Sequence, residues 1–198
     1  MTGLALGFAD PVSGSQQAFG AVMHALASPG EVRAFATDLV PPRPLMPELA
    51  AVALALADHE APLWLDEPLA AAPAVAEYLR FHTGAAIVED PADSAFALIC
   101  EPRLCPSFDA FALGTPEYPD RSTTIVLAVT SLDDGPGLRL RGPGIETERS
   151  FAPNPQPDGF REQILRNRSL FPLGVDWLIV ASGKIAGLPR SVKIVGGS

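Results

Sequence analysis

Arginines 121, 139, 141, 149 and 190 all fall after residue 120, on or beside segments that read as strands. A guanidinium offers a planar fork of donors that suits phosphate and carboxylate oxygens. Arg139 and Arg141 alternate with Leu138 and Leu140, so a strand over 138–141 would set both guanidiniums on one face. That row could meet a triphosphate, or it could be solvated charge guarding a sheet edge. A second candidate pair is Arg80 with His82. Guanidinium and imidazolium both donate to an anion. Alternatively His82, at the end of a helix over 73–82, caps the exposed carbonyls there. Arg80, His82, Arg141 and Arg190 are therefore the candidate anion or nucleotide contacts, and no residue is assigned as catalytic.

Other chemistries find weaker support. Gly137 and Gly142 have the spacing that opens a phosphate-cradling loop, but Pro143-Gly144 stand where the lysine and the hydroxyl residue belong. Turns account for these glycines without a ligand. Cys100 and Cys105 have neither zinc-knuckle spacing nor a disulfide framework around them, so free buried thiols are expected. His24, His59 and His82 lie far apart, and no metal site is expected. There is no GxSxG elbow. A pyridoxal Schiff base would need an enclosed lysine; the lysines are Lys184, in an expected hairpin turn, and Lys193, near a Gly-rich tail. No cofactor is expected.

The elements that must position these groups belong to an acidic chain. Net charge is −9, divided unevenly: residues 1–120 hold four Arg/Lys against sixteen Asp/Glu, and 121–198 hold ten against seven. An acidic surface disfavours nucleic acid, whose phosphates need a basic face. The opening residues lack the charged start and long apolar core of a secretory signal, and the apolar run at 49–57 is half of the roughly 20 residues a membrane span needs. A cytoplasmic protein is expected. With 47% hydrophobic residues, a chain of 198 should bury about 70% of its unfolded surface in one domain spanning 1–198.

Along the chain, Phe19, Val22, Met23 and Leu26 share a face of a helix over 13–27, which Pro29-Gly30 ends. Residues 32–35 alternate like a strand. A helix over 47–57 starts with proline and is apolar nearly all round, so it should be buried. A strand at 62–65, the helix at 73–82, and short apolar runs at 85–88 and 95–100 give an α/β alternation. Residues 108–113 suggest a brief helix. Residues 123–129, 138–141 and 146–151 read as an antiparallel meander. Asp158 is placed to cap a helix to about 168. A final strand pair spans 175–181 and 185–188.

Several strings in order resemble the phosphonate-metabolism PhnH family: Leu54 to Asp58 with Pro62-Leu63-Trp64-Leu65, Leu79 to Thr83, Gly142 to Ile145, Phe171 to Asp176, and Leu188-Pro189-Arg190. With Phe8-x-Asp10-Pro11-Val12 and Pro29-Gly30, the likeness covers almost the whole chain. The resemblance implies a mixed sheet flanked by helices, like the large domain of pyridoxal-phosphate-dependent transferases without the cofactor. It implies a homodimer that joins the G, I and J subunits of a carbon-phosphorus lyase complex. The implied role is accessory, in the step that displaces adenine from a nucleoside triphosphate and attaches an alkylphosphonate to the ribose C1. A stand-alone transferase of the pyridoxal fold type is the alternative.

Overall fold

The computed structural model describes residues 5–196. Its helices are α1 (Pro11–Ala27), α2 (Pro47–Leu56), α3 (Glu67–Ala70), α4 (Pro73–Thr83) and α5 (Phe160–Ser169). Each of the first four has proline in its opening positions, where the missing N–H costs nothing. Asp10 caps α1 by accepting from Val12 and Ser13 N–H, both at 3.1 Å.

The strands are β1 (Arg33–Ala34), β2 (Leu63–Leu65), β3 (Ile87–Val88), β4 (Phe96–Ile99), β5 (Thr124–Ala128), β6 (Leu138–Arg141), β7 (Arg149–Phe151), β8 (Asp176–Ala181), β9 (Lys184–Leu188) and β10 (Lys193–Ile194). Seven form a mixed sheet in the order β1-β9-β8-β5-β4-β2-β3. From β3 to β8 the neighbours run parallel, and β9 and β1 close the far edge antiparallel. The remaining three make a small antiparallel sheet, β10-β6-β7.

The large sheet divides the apolar interior in two. Strand alternation sends Leu98, Val126, Leu178 and Val180 to a core shared with α1, α2 and α4. Ala97, Ile125, Leu127, Trp177 and Ile179 point the other way, to Phe160 and Ile164 of α5 and to Leu138, Leu140 and Phe151 of the small sheet. Helix α2 is buried as its composition requires, from Leu49 through Ala53. Helix α1 crosses β9 at Gly187, where a Cβ would come within 2.5 Å of the Ala25 carbonyl oxygen.

Three expectations need correction. Residues 123–129 do not begin a meander: β5 pairs in parallel with β4 and β8, between them. Ile125 through Ala128 are all buried, and a strand buried on both faces belongs inside a parallel sheet. The face of α1 is also rotated. Of the four residues expected inside, Val22 is buried and Leu26 half-buried against the core, but Phe19 and Met23 are 49% and 40% exposed, and Ala18 and Ala25 are buried instead. The small residues let α1 lie close to β9 and α2, and the bulky ones are left outside. Asp158 does not cap α5: Gly159, at φ 62°, holds that position. Asp158 instead offers its carbonyl oxygen to Gln163 Nε2 at 2.8 Å.

Candidate functional site

Polar groups collect at opposite ends of the large sheet. At the amino end, the corner from Phe171 to Asp176 is held from both sides. Asn167, buried on α5, donates through Nδ2 to the Val175 carbonyl at 2.8 Å and accepts from the Val175 N–H at 2.9 Å. Gly174, at φ 116°, lets the chain pass, since a Cβ there would fall 2.3 Å from Asn167 Oδ1.

From the other side comes Arg190, just past β9. Its backbone N–H donates to Asp176 Oδ1 at 2.8 Å, its Nε to the same oxygen at 3.2 Å, and its Nη2 to Oδ2 at 2.6 Å. Nη1 donates to the Pro119 carbonyl at 2.8 Å and Nη2 to the Ser122 hydroxyl. The guanidinium therefore joins β8 and the 119–122 loop. Asp176 acts as its acceptor.

His82 and Arg80 lie on the α4 side of the sheet. Gly84, in the left-handed region at φ 71°, ends α4 by donating its N–H to the Arg80 carbonyl. The imidazole points elsewhere: Nε2 lies 2.9 Å from the Ala5 carbonyl, and the ring packs edge-on against Tyr78 and Phe81. Tyr78 donates to the Leu6 carbonyl at 3.3 Å, so these two side chains pin residues 5 and 6 to α4. Arg80 is exposed.

Arg139 and Arg141 do share the outer face of β6, with Leu138 and Leu140 buried beneath. This sheet lies across the large sheet from α4. The structure thus brings Arg139 and Arg141 together and leaves Arg80 and His82 on the opposite side.

At the carboxyl end, β2 is followed by β3 on one side, and the chain then crosses to β4 on the other. Such a reversal of direction opens the crevice in which open α/β sheets place ligands. Here that point is marked by a carboxylate of the chain itself. Asp66, wholly buried directly after β2, accepts from Cys100 N–H at 2.8 Å, Glu101 N–H at 2.9 Å and Leu69 N–H at 3.4 Å. Burial raises its pKa from its ordinary value, against the pull of those N–H groups.

Cys100 Sγ donates to Asp66 Oδ1 at 3.5 Å. Burial first, and then the neighbouring carboxylate, push the Cys100 thiol up to about 12. Burial and Asp66 do the same to Cys105, also to about 12. Both cysteines are free, and as neutral thiols at physiological pH they are poor nucleophiles.

A cavity of about 770 Å3 opens between the amino end of α1 and the segment after β1. Its polar lining is Asp10, Ser13, Gln17, Thr37 and Asp38, beside Phe8 and Phe35. Two carboxylates and no cation line it, which favours neutral or cationic groups over phosphate. Arg80, His82, Arg141 and Arg190 are all absent from its wall. Nearby, buried Glu48 accepts from the Gly183 N–H at 2.7 Å and fixes the turn between β8 and β9. Lys184, in that hairpin, and Lys193, on β10, are both exposed. Among the described residues, no group of three or more His, Cys, Asp or Glu could hold a metal ion. No described helix is long and apolar enough to cross a membrane.

Sequence reading missed Asp66, Gln163 and Asn167. Signals existed for each. Asp66 precedes Glu67-Pro68, a capping residue ahead of an early helical proline. Gln163 and Asn167 lie four apart beside Phe160 and Ile164, on the face that turns inward. Gln163 also accepts from the Phe108 N–H at 3.0 Å, tying α5 to the loop after β4.

The model of the family described as bacterial phosphonate metabolism protein (PhnH) matches residues 6–195. The alpha-D-ribose 1-methylphosphonate 5-triphosphate synthase subunit PhnH of Rhizobium meliloti (strain 1021) is 41% identical over 187 residues, 94% of this chain and 93% of that protein. A putative C-P lyase subunit protein, HtxG of Stutzerimonas stutzeri, is 38% identical over 82 residues, 41% of this chain and 42% of its own. With the match running through α1, Asp66 and the Asp176–Arg190 corner alike, this chain belongs to the bacterial phosphonate metabolism protein (PhnH) family.

Proposed function

We propose that this chain is an accessory subunit of a carbon-phosphorus lyase complex in organophosphonate catabolism. In that assembly it supports transfer of an alkylphosphonate to the ribose C1 of ATP with release of adenine. The observation that carries this reading is the 41% identity, over 187 residues, with a protein named as a subunit of alpha-D-ribose 1-methylphosphonate 5-triphosphate synthase. The site geometry supports an accessory role. The crevice where a catalytic ligand would enter holds Asp66, and the thiols beside it are kept protonated.

The partners in this reading are a second copy of the chain and the G, I and J subunits, in the cytoplasm. The mixed sheet, parallel through β8 and reversed at β9, flanked by helices, supports kinship with the large domain of pyridoxal-phosphate-dependent transferases. One domain over 1–198 accords with two cores that share one sheet. Of the four candidate cations, Arg80 and Arg141 are exposed and suited to contact an anion. His82 and Arg190 already direct their donors to partners within the chain.

The test is adenine release from ATP plus methylphosphonate, measured for the purified chain alone and for the chain co-purified with its partner subunits. Turnover is expected only in the assembly. Turnover by the isolated chain would overturn the accessory role.

A further inference from the structure

The outer face of the small sheet carries a charge arrangement that the fold itself does not need. Lys193 of β10 stands directly opposite Arg141 of β6. Directly opposed residues of an antiparallel pair share a face, with Cβ atoms about 5 Å apart, and like charges there repel. Arg139 lies two residues along on the same face. The strand cannot roll to separate these cations, because Leu138 and Leu140 anchor its inner side.

A single carboxylate bridges the two guanidiniums. Glu148, next to β7, is paired with Arg139 and lies 3.5 Å from Arg141 Nε. Arg141 Nε also donates to the Thr147 carbonyl at 3.2 Å, and its terminal nitrogens have no partner among the described residues. Lys193 is exposed and likewise makes no ion pair with a described residue. Glu148 thus occupies the place of an incoming oxyanion against the two guanidiniums, and its one negative charge is set against three cations on this face.

We infer that Arg139, Arg141 and Lys193 form a binding site for a compact multivalent phosphate, which enters by displacing Glu148 from the guanidiniums. Several phosphoryl oxygens can meet groups on two strands at once, whereas one carboxylate meets only the arginines. This site goes beyond the accessory-subunit reading and does not depend on it, because binding is a property of the isolated chain.

The experiment is calorimetric titration of the full chain with inorganic tripolyphosphate and, in parallel, with ATP, at low ionic strength. Losing one charge-assisted contact should weaken tripolyphosphate binding about tenfold in Arg141→Ala and in Lys193→Ala. Removing the competitor in Glu148→Gln should tighten it roughly threefold or more, and added salt should weaken it in every variant. ATP binding as tightly as tripolyphosphate assigns the site to a nucleoside-borne triphosphate; weaker ATP binding assigns it to the free oligophosphate. No saturable binding of either probe, binding indifferent to Arg141→Ala and Lys193→Ala, or a Glu148→Gln chain that binds no tighter would overturn the inference. None of these results bears on adenine release by the assembly, so the two readings fail separately.

Discussion

Arg190 grips Asp176 through its backbone N–H and two guanidinium nitrogens, the shortest of these contacts at 2.6 Å. The side chains are only 13% and 23% exposed. Removing the guanidinium strands a shielded carboxylate and also frees the Pro119 carbonyl and the Ser122 hydroxyl. Arg190→Ala is expected to cost about 3 kcal/mol in urea denaturation. Arg190→Lys should recover less than half of that loss, because an ammonium cannot serve the same fork of acceptors. A loss below about 0.5 kcal/mol for Arg190→Ala would contradict a structural role.

Asp66 raises the pKa of the Cys100 thiol through its charge and its hydrogen bond, after burial itself. Asp66→Asn keeps an acceptor for the N–H groups but removes the charge. Thiolate absorbance followed against pH should then show Cys100 titrating below about 12. An unchanged titration would show that burial alone sets the thiol.

Stability at high pH follows from the same two thiols. Both titrate near 12 in the folded chain, whereas an unperturbed cysteine titrates at about 8.5. Between those values the folded state holds more protons than the unfolded state, so stability falls as pH rises through the window. The urea midpoint of the wild-type chain should drop more steeply over that range than that of a Cys100→Ala, Cys105→Ala double variant. Tyr78, also raised by burial, contributes equally to both proteins. Parallel curves would rule out the thiols as the source.

The rotated face of α1 can be checked by substitution. Val22 is wholly buried, and Val22→Ala should cost about 2 kcal/mol. Phe19 is half exposed, and Phe19→Ser should cost under about 1 kcal/mol despite the larger chemical change. The reverse order in thermal melts would mean that Phe19, rather than Val22, is packed in the core.

Gly187 sets the distance between α1 and the sheet. A Cβ there would meet the Ala25 carbonyl oxygen at 2.5 Å and its carbon at 2.7 Å, and backbone cannot swing aside like a side chain. Gly187→Ala should destabilise the chain by about 2 kcal/mol or more. Wild-type stability in this variant would mean that α1 can lift off β9 without loss.

Local chemistry made most elements legible. Proline ahead of α2 and α4, the Ser182-Gly183 turn and the unbroken apolar run of β5 each declare themselves within a few residues. Pairing did not. Placing β5 beside β4 and β8, rather than with β6, depends on contacts with segments 28 and 52 residues distant in register, such as Phe96 with Thr124 and Thr124 with Asp176. The α1 face was misread because Phe and Met outrank Ala in hydrophobicity, while close approach to Gly187 rewards the small residue. The role of Asp66 rests on N–H groups more than 30 residues away, and that of Asp176 on an arginine 14 residues later. The anion candidates were recognisable as cations, but sequence alone could not separate Arg190, enclosed by acceptors, from Arg141, which faces outward.

The seven-stranded sheet begins and ends in strands of two residues, β1 and β3. A margin that short offers another chain too few free N–H and C=O groups to continue the ladder, so the sheet resists open-ended growth. Association with another chain is left to helix faces and loops, whose shapes admit only chosen neighbours.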